Sequence, residues 1–513
     1  MPGIFGGGLE TFLRVQPILF NSFGVFMGVI IGVLPGIGPM LGVILFTPVI
    51  LYLSPIAGMG LLIGIYVGGS CGGAISAILV GIPGTPIAAA TLLDGAPMAQ
   101  KGQAPEAVGL AISASSIGGL LGGVALLFLS PPLAKIAIQF GPPEYFALTV
   151  TGLIAIAVVA KESTIKGLLS ASFGLLIASI GLDPFTGYDR FTFGYGNLMG
   201  GIELVALLVG LFAIPEMFLL IQQGGMNIKP DIKVFRAPFS SAVTVIRNTG
   251  NLLRASLIGT FIGALPGTGG VASSFISYAM AKAASDHPEE FGTGKKEGII
   301  ATEAANNACC GGALIPTMAL AIPGDPITAV LMGALMLIGY LPGPELFRQN
   351  PEIVGGLFFA YVSSNIFLFW MGILFTPLFV SILKLRKNRL IPMVLLLSIV
   401  GTFSVQSSLF DVWCMWFFGL VGYLMRKGGF PLAPLVIARV LSPILEPAFR
   451  RSLILSGGSF SIFVTRPIAL MILIFNVLLL LWTSIPPAKQ QKIKEAIFRA
   501  FIRVIQRKPS AIG

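Results

Sequence analysis

Apolar segments of membrane-spanning length are what most restricts the folds open to this sequence. They lie near residues 15–34, 38–54, 57–81, 107–130, 144–160, 165–182 and 201–223, then 252–280, 298–321, 327–341, 353–383, 390–410, 412–425, 432–448 and 464–486. A helix needs about 20 apolar residues to cross the hydrocarbon core. There every backbone N–H and C=O must be satisfied internally, so irregular backbone survives only where protein or a water-filled cavity surrounds it. Several of the runs are short, or rich in glycine and proline, and we read these as broken or re-entrant. Only 10% of the 513 residues are charged, where a soluble domain carries about 25%. The expected fold class is an all-α polytopic integral membrane protein, with about eleven or twelve transmembrane helices.

The charges that remain are informative by position. The net charge of +11 is concentrated between apolar runs, at Lys229, Lys233, Arg236, Arg247 and Arg254, at Lys384, Arg386, Lys387 and Arg389, at Arg426 and Lys427, and at Arg450 and Arg451. Short basic loops mark the cytoplasmic side. With no folded basic face to hold them, they do not describe a nucleic-acid-binding protein. The expected divisions are a first transmembrane repeat at 15–223, a basic cytoplasmic linker at 224–251, a second repeat with additional helices at 252–486, and a basic amphipathic tail at 487–513. In that tail Ile493, Ile497, Phe501 and Val504 recur at helical spacing opposite Arg499, Arg503 and Arg507. The pattern suits a helix lying on an anionic leaflet or one docked on the protein itself. Arg14 is the only basic residue before the first run and no small-residue cleavage pattern follows, so that run is expected to be a retained span.

Residues with intrinsic chemistry are few. Cys71, Cys309, Cys310 and Cys414 fall in apolar or small-residue contexts without metal-binding spacing, and read as small buried hydrophobes. His287, the single histidine, lies in the polar stretch SDHPEE and reads as a solvated residue. There is no phosphate-binding loop, zinc motif, nucleophile elbow or carboxylate pair with a matching base. The chain is not expected to be an enzyme or to carry a cofactor. Glu203, Glu216, Asp411 and Arg439 fall in or beside apolar runs and are open candidates for function or for interfacial placement.

Two words recur. GVLPGIGP at 32–39 is matched by GALPGTGG at 263–270, with Pro35 and Pro266 separated by 231 positions. IPGTP at 82–86 is matched by IPGDP at 322–326, separated by 240. Between the words lie GGSCGGA at 68–74 and NNACCGGA at 306–313. The second copy carries an extra polar loop near 286–294, which accounts for the longer offset. Three features in one order indicate a duplication. About seven runs separate the two starts, and an odd number reverses direction, which favours an inverted-topology pair. Proline removes a backbone donor and glycine allows a close backbone approach. Paired interruptions at corresponding positions point to a transport site, where half-helix ends face anions and freed carbonyls face cations. The candidate substrate and ion residues are therefore Gly32, Pro35, Gly36, Gly38, Ser70, Gly72, Gly73, Pro83, Gly84, Thr85 and Pro86 in the first copy. In the second they are Gly263, Pro266, Gly267, Thr268, Gly269, Glu303, Asn306, Asn307, Pro323, Gly324, Asp325 and Pro326, with hydroxyls of Ser273 and Ser274 nearby. Glu303 and Asp325 are the carboxylates open to a coupling ion. The competing use of such small residues is close helix packing.

At these motifs the sequence resembles the TctA family, the large membrane subunit of tripartite tricarboxylate transporters. The resemblance runs through GVLPGIGP, YVGGSCGGAISAILVGIPGTP at 66–86, LDGAPMAQKG at 93–102, VGLFAIPE at 209–216, GALPGTGG, EAANN at 303–307, AIPGDP at 321–326 and LVIARVL at 435–441. It covers roughly residues 15–450. It implies the translocating subunit of a bacterial inner-membrane secondary carrier, working with a small four-helix membrane subunit and a periplasmic solute-binding protein. It implies a citrate-like tricarboxylate or dicarboxylate as substrate and a coupling cation, often Na⁺, with H⁺ the other choice. Elevator-like motion follows only by analogy of fold. A channel lined by the same broken helices and a membrane scaffold subunit stand as the alternatives.

Overall fold

The computed structural model describes residues 3–159, 164–222, 234–267, 269–384 and 387–484. The tail at 487–513, Lys229, Lys233 and Thr268 lie outside the described residues. Among the described residues the chain is helical apart from loops and one short antiparallel hairpin, Gly181–Leu182 with Asp189–Arg190.

The longer helices are α1 (Val15–Val33), α2 (Gly38–Phe46), α3 (Pro55–Val80), α4 (Ala104–Ala137), α5 (Pro142–Val159), α6 (Thr164–Ala178) and α7 (Leu204–Gln222). They continue as α8 (Thr249–Ala264), α9 (Gly269–Ala283), α10 (Lys296–Leu320), α11 (Pro326–Leu337), α12 (Pro351–Leu374), α13 (Lys387–Gln406), α14 (Leu409–Lys427), α15 (Leu432–Leu455) and α16 (Pro467–Ser484). Among the described residues seven helices are long and apolar enough to cross a membrane, and shorter apolar helices of 10–17 residues accompany them. This is an all-α polytopic membrane architecture.

Glycine sets how closely the helices approach. Along α1, Gly24, Gly28 and Gly32 face α3, and a Cβ on each would lie 2.2, 2.6 and 2.2 Å from the carbonyl oxygens of Leu61, Ile65 and Gly69. The fit is reciprocal: Gly64, Gly68 and Gly72 of α3 meet the carbonyls of Asn21, Val25 and Val29 at 2.5, 2.3 and 2.6 Å. Where lipid is as apolar as leucine, helices associate through such contacts rather than by a hydrophobic force. The second half repeats the device. Gly259 and Gly263 of α8 meet the carbonyls of Ala305 and Cys309 of α10 at 2.3 and 2.2 Å. Thus Gly32, Gly72 and Gly263 admit a neighbouring helix.

The halves also exchange helices. Gly118 and Gly122 of α4 pack on the carbonyls of Ala304 and Ala308 in α10. On α12, Ser364 Oγ accepts from Asn21 Nδ2 at 2.8 Å, and the same amide donates to Gly60 O at 2.8 Å. α10 is thereby flanked by α4, and α1 and α3 by α12, each a helix from the far half of the sequence.

Both words adopt the same turn twice. After α1, Leu34 is extended (φ −81°, ψ 112°), and after α8, Leu265 matches it (φ −86°, ψ 112°). Gly36 and Gly38 have φ of +90° and +62°; Gly267 and Gly269 have +83° and +67°. α3 ends on left-handed Gly81 at φ +71° and α10 on left-handed Ala321 at φ +57°. Thr85 and Asp325 then each cap a helix whose first residue is proline, their side chains accepting from Ala88 N–H and Thr328 N–H. Proline is preorganised for that first position.

The hairpin is tied to α15 by charge. Arg450 reaches Asp183 at 2.8 Å and Arg190 reaches Glu446 at 2.7 Å. The Arg450 guanidinium holds the Asp183 carboxyl well below the usual carboxylate range, helped by the Thr186 and Phe185 N–H groups. A carboxyl depressed in the folded state contributes stability above its ordinary value of about 3.9, and that contribution fades as pH falls. Limited proteolysis should therefore find the 181–190 hairpin equally protected at neutral and mildly acidic pH. Protection should weaken only below about pH 4; loss near neutrality would contradict this assignment.

Three of the four embedded charges of the sequence reading have structural partners, and the fourth, Asp411, keeps a buried Oδ2 with no partner among the described residues. Glu216 pairs with Arg426 at 2.5 Å, Glu203 accepts from Ala206 N–H at the start of α7, Arg439 donates to Ile202 O, and Asp411 occupies the first turn of α14. The four cysteines are buried and unbridged, and His287 is exposed beside Glu289.

Candidate functional site

The central helices α3 and α10 cross at their small-residue patches. Asn306 Nδ2 donates to Ser70 O at 3.0 Å, and the Cys310 thiol donates to Ser70 Oγ at 3.5 Å. Glu303, one turn away on α10, is fully buried. Its Oε1 accepts from Thr91 Oγ1 at 2.5 Å, and its Oε2 accepts from Ser115 Oγ at 2.7 Å and from Asn306 Nδ2 at 3.3 Å. Thr91 also contacts Thr302 at 3.0 Å. Every hydrogen-bond partner shown for this carboxylate is neutral. An ion inside a low-dielectric bundle is costly without a counter-charge or generous hydrogen bonding.

Beside it are polar atoms with no acceptor or donor. Asn306 Oδ1 and both amide atoms of Asn307 are buried without a partner among the described residues. Buried polar groups are almost always paired, and an exception calls for a ligand, an ion or water. The Asn307 backbone carbonyl, by contrast, accepts from Tyr361 at 2.6 Å.

Asp325 is placed differently. Its Oδ1 accepts from Thr328 N–H at 2.7 Å, its own N–H donates to Thr328 Oγ1 at 2.9 Å, and its Oδ2 accepts from Tyr66 at 2.5 Å. This is a capping box at the start of α11 with a cross-half bond from α3.

The words converge crosswise. Within each half the two breaks touch: Gly267 N–H donates to Gly324 O at 3.0 Å, and a Cβ on Gly84 would lie 2.2 Å from Gly32 O. Gly84 N–H also bonds Gly73 O at 3.2 Å, and a Cβ on Gly73 would strike Thr85. Between halves, Ile87 packs against Gly270, and α2 packs against α11. The first tip itself rests near Glu216, whose Oε1 is 3.2 Å from the position of a Gly36 Cβ. Gly36 and Pro86 are exposed, and Pro35, Gly38, Pro83, Pro266, Gly267, Gly269 and Pro326 are half-buried. Pro323 and Gly324 are buried with Asp325. Ser273 and Ser274 bond backbone carbonyls of α9 and α10. The structure thus brings Ser70, Glu303, Asn306 and Asn307 to one centre and leaves the glycine tips around it.

Sequence reading missed Thr91 and Ser115 as side chains of this centre, and Tyr66 as the partner of Asp325. The hydroxyl cluster ISASS at 112–116 within an apolar run was a usable signal; nothing local marked Thr91 or Tyr66.

Nearby, Asp94 fastens the polar loop that precedes α10. Its buried Oδ1 accepts from the N–H groups of Gly292, Gly294 and Lys295 at 2.8, 2.8 and 2.9 Å. Asp94→Asn keeps the acceptor but loses its charge. It should destabilise the protein by about 2 kcal/mol, since bonds to charged groups are each worth about 1.5–3, readable as a lower midpoint of thermal unfolding. An unchanged midpoint would show that the loop is held otherwise.

A membrane bundle with a buried, uncompensated polar centre framed by recurrent helix breaks is the class of protein these observations define. Its sequence matches the Tripartite tricarboxylate transporter TctA family over residues 18–437. The chain belongs to that family of transporter subunits. It is 36% identical over 487 residues to an uncharacterised 52.8 kDa protein in the TAR-I ttuC' 3' region of Agrobacterium vitis, covering 95% of this chain and 97% of that one. A second Agrobacterium vitis protein, uncharacterised and in the TAR-II ttuC' 3' region, is 33% identical over 234 residues, 46% of this chain and 97% of its own length.

Proposed function

We propose that this chain is the translocating subunit of a binding-protein-dependent secondary transporter in a bacterial inner membrane. It imports a citrate-like tricarboxylate or related carboxylate with a coupling cation, Na⁺ or H⁺. Its partners in this reading are a small four-helix membrane subunit and a periplasmic solute-binding protein. The observation that carries the reading is the centre at Glu303. A buried carboxylate with neutral partners sits beside unpartnered amide atoms of Asn306 and Asn307, where the central helices of the two halves cross. A cation there would offset the carboxylate, and the amides would meet the ion or the substrate. The recurrent turns and the exchanged helices support reading the halves as an inverted pair that moves around this centre.

The test is accumulation of labelled citrate and dicarboxylates in vesicles containing all three components, with and without an inward Na⁺ or H⁺ gradient. Accumulation that needs all three and collapses with one gradient is expected. Flux that only equilibrates, without accumulating, would establish a channel instead.

A further inference from the structure

Ahead of α8 lies a short helix, Ser240–Arg247. Ser241, Ala242 and Val245 are buried, and Ser241 sits against Gly109 of α4. On the other side Phe239, Val243 and Ile246 are exposed. Their spacing of four and three places them on one face. Beyond the polar turn at 247–250 the apolar exposure resumes on α8, at Leu253, Leu257 at 71% and Phe261 at 68%. Phe239 also packs on Phe369 and Trp370 of α12, at centroid distances of 5.6 and 6.1 Å, and Trp370 is itself exposed. A lipid-facing stripe that starts on a short amphipathic helix beside a tryptophan marks the edge of the bilayer.

Two cations stand at that edge. Arg236 precedes the helix and Arg247 ends it, and no ion pair is shown for either among the described residues. Arg247 lines a shallow, open cleft of about 450 Å³ with Thr244, Asn248, Thr249, Gly250 and Asn251. Arg254 donates to Asn251 Oδ1 at 3.0 Å on its inner side, and Asn251 Nδ2 donates to Glu297 O at 2.9 Å. The Thr244 and Thr249 hydroxyls donate to Ser240 O and Ile246 O, and the Asn251 amide to Glu297 O, so the donors left to the cleft are the Arg247 guanidinium and the Asn248 amide, groups that can receive a phosphate oxygen. Short basic loops mark the cytoplasmic side by rule, which would set this edge against the anionic leaflet.

We propose that the Ser240–Arg247 helix and the cleft beside it bind the phosphodiester headgroup of an anionic phospholipid of the cytoplasmic leaflet, with its acyl chains along Val243, Ile246, Leu257 and Phe261. A lipid rather than free phosphate is the occupant because the apolar stripe adjoins the cleft. The consequence is mechanical: the bound lipid fixes the start of α8, whose far end is the break at Pro266.

The experiment uses the full chain purified with its native lipids, then exchanged into phosphatidylcholine nanodiscs with or without phosphatidylglycerol. Native mass spectrometry should show phosphatidylglycerol retained in preference to phosphatidylcholine, and thermal unfolding should show a higher midpoint when it is present. Arg236→Gln and Arg247→Gln should each reduce the preference roughly fivefold, as expected for a basic residue near an anionic surface. Their midpoints in phosphatidylcholine alone should be unchanged, and Arg247→Lys should retain most of the preference. Equal retention of both lipids by the unaltered chain overturns the proposal, whatever the variants do. So does an unchanged preference in the double variant, or an equal stabilisation by inorganic phosphate in detergent, which would assign the cleft to a soluble anion.

Discussion

Gly32→Ala is expected to cost this protein much of its folded stability. The new methyl carbon would lie 2.2 Å from the carbonyl oxygen of Gly69 and 2.9 Å from each of that residue's Cα and C. These are backbone atoms in mid-helix, so no rotamer change relieves the overlap. Overpacking typically costs about 1–3 kcal/mol where side chains give way, and here α1 must move off α3. We expect about 3 kcal/mol or more. The displacement also reaches the site, because Gly32 O is the atom a Gly84 Cβ would strike. Gly81→Ala is the control. Its φ is +71°, yet nothing lies within 4 Å of its Cβ position, and alanine already adopts a similar φ of +57° at 321. Left-handed alanine costs about 1–2 kcal/mol. Thermal unfolding in detergent compares the two. Equal losses would show that the α1–α3 approach has slack, and a stable Gly32→Ala protein without uptake would make Gly32 a ligand-approach residue.

That contrast shows how the sequence could and could not be read. Glycine and proline at the breaks were visible because both change backbone options directly, and Gly36, Gly38, Gly267 and Gly269 do take positive φ. The packing role of Gly24, Gly28 and Gly32 was also written in the sequence as a four-residue spacing, alongside the site reading of Gly32. Glu303, Asn306 and Ser70 were legible as polar residues in apolar runs. Their partners were not: Thr91 lies 212 positions from Glu303, and Tyr66 lies 259 from Asp325. Such pairings depend on how helices exchange between the halves, and no local pattern encodes that exchange. For the same reason Glu216 looked like an unexplained intramembrane charge until Arg426, 210 positions on, came beside it. Thr268, the hydroxyl of the second tip, lies outside the described residues, so the centre is built here from the side chains of α3, α4 and α10 and from Thr91.

Two carboxylates were candidates for the coupling ion, and their settings separate them. Glu303→Gln should abolish gradient-driven accumulation while leaving the fold nearly intact. Glutamine is isosteric, its oxygen still accepts from Thr91 or Ser115, and either hydroxyl can turn to accept from its amide. Removing one partner of a buried charge contact costs about 2–5 kcal/mol, which weakens cation binding about 30-fold or more. Asp325→Asn should be mild. Asparagine caps a helix about as well as aspartate, Thr328 N–H keeps its acceptor, and Tyr66 can accept from the new amide. Asp325→Ala should instead lower the unfolding midpoint, by about 1–2 kcal/mol of lost capping. Uptake and thermal unfolding measured on all three variants decide the matter. If Asp325→Asn is folded but inactive and Glu303→Gln still accumulates substrate, the ion belongs at the start of α11 and the capping box is its cradle. If both are inactive and folded, the two carboxylates act on one ion or on two that are coupled. An active Asp325→Asn beside a folded, inactive Glu303→Gln assigns the coupling charge to the crossing of α3 and α10.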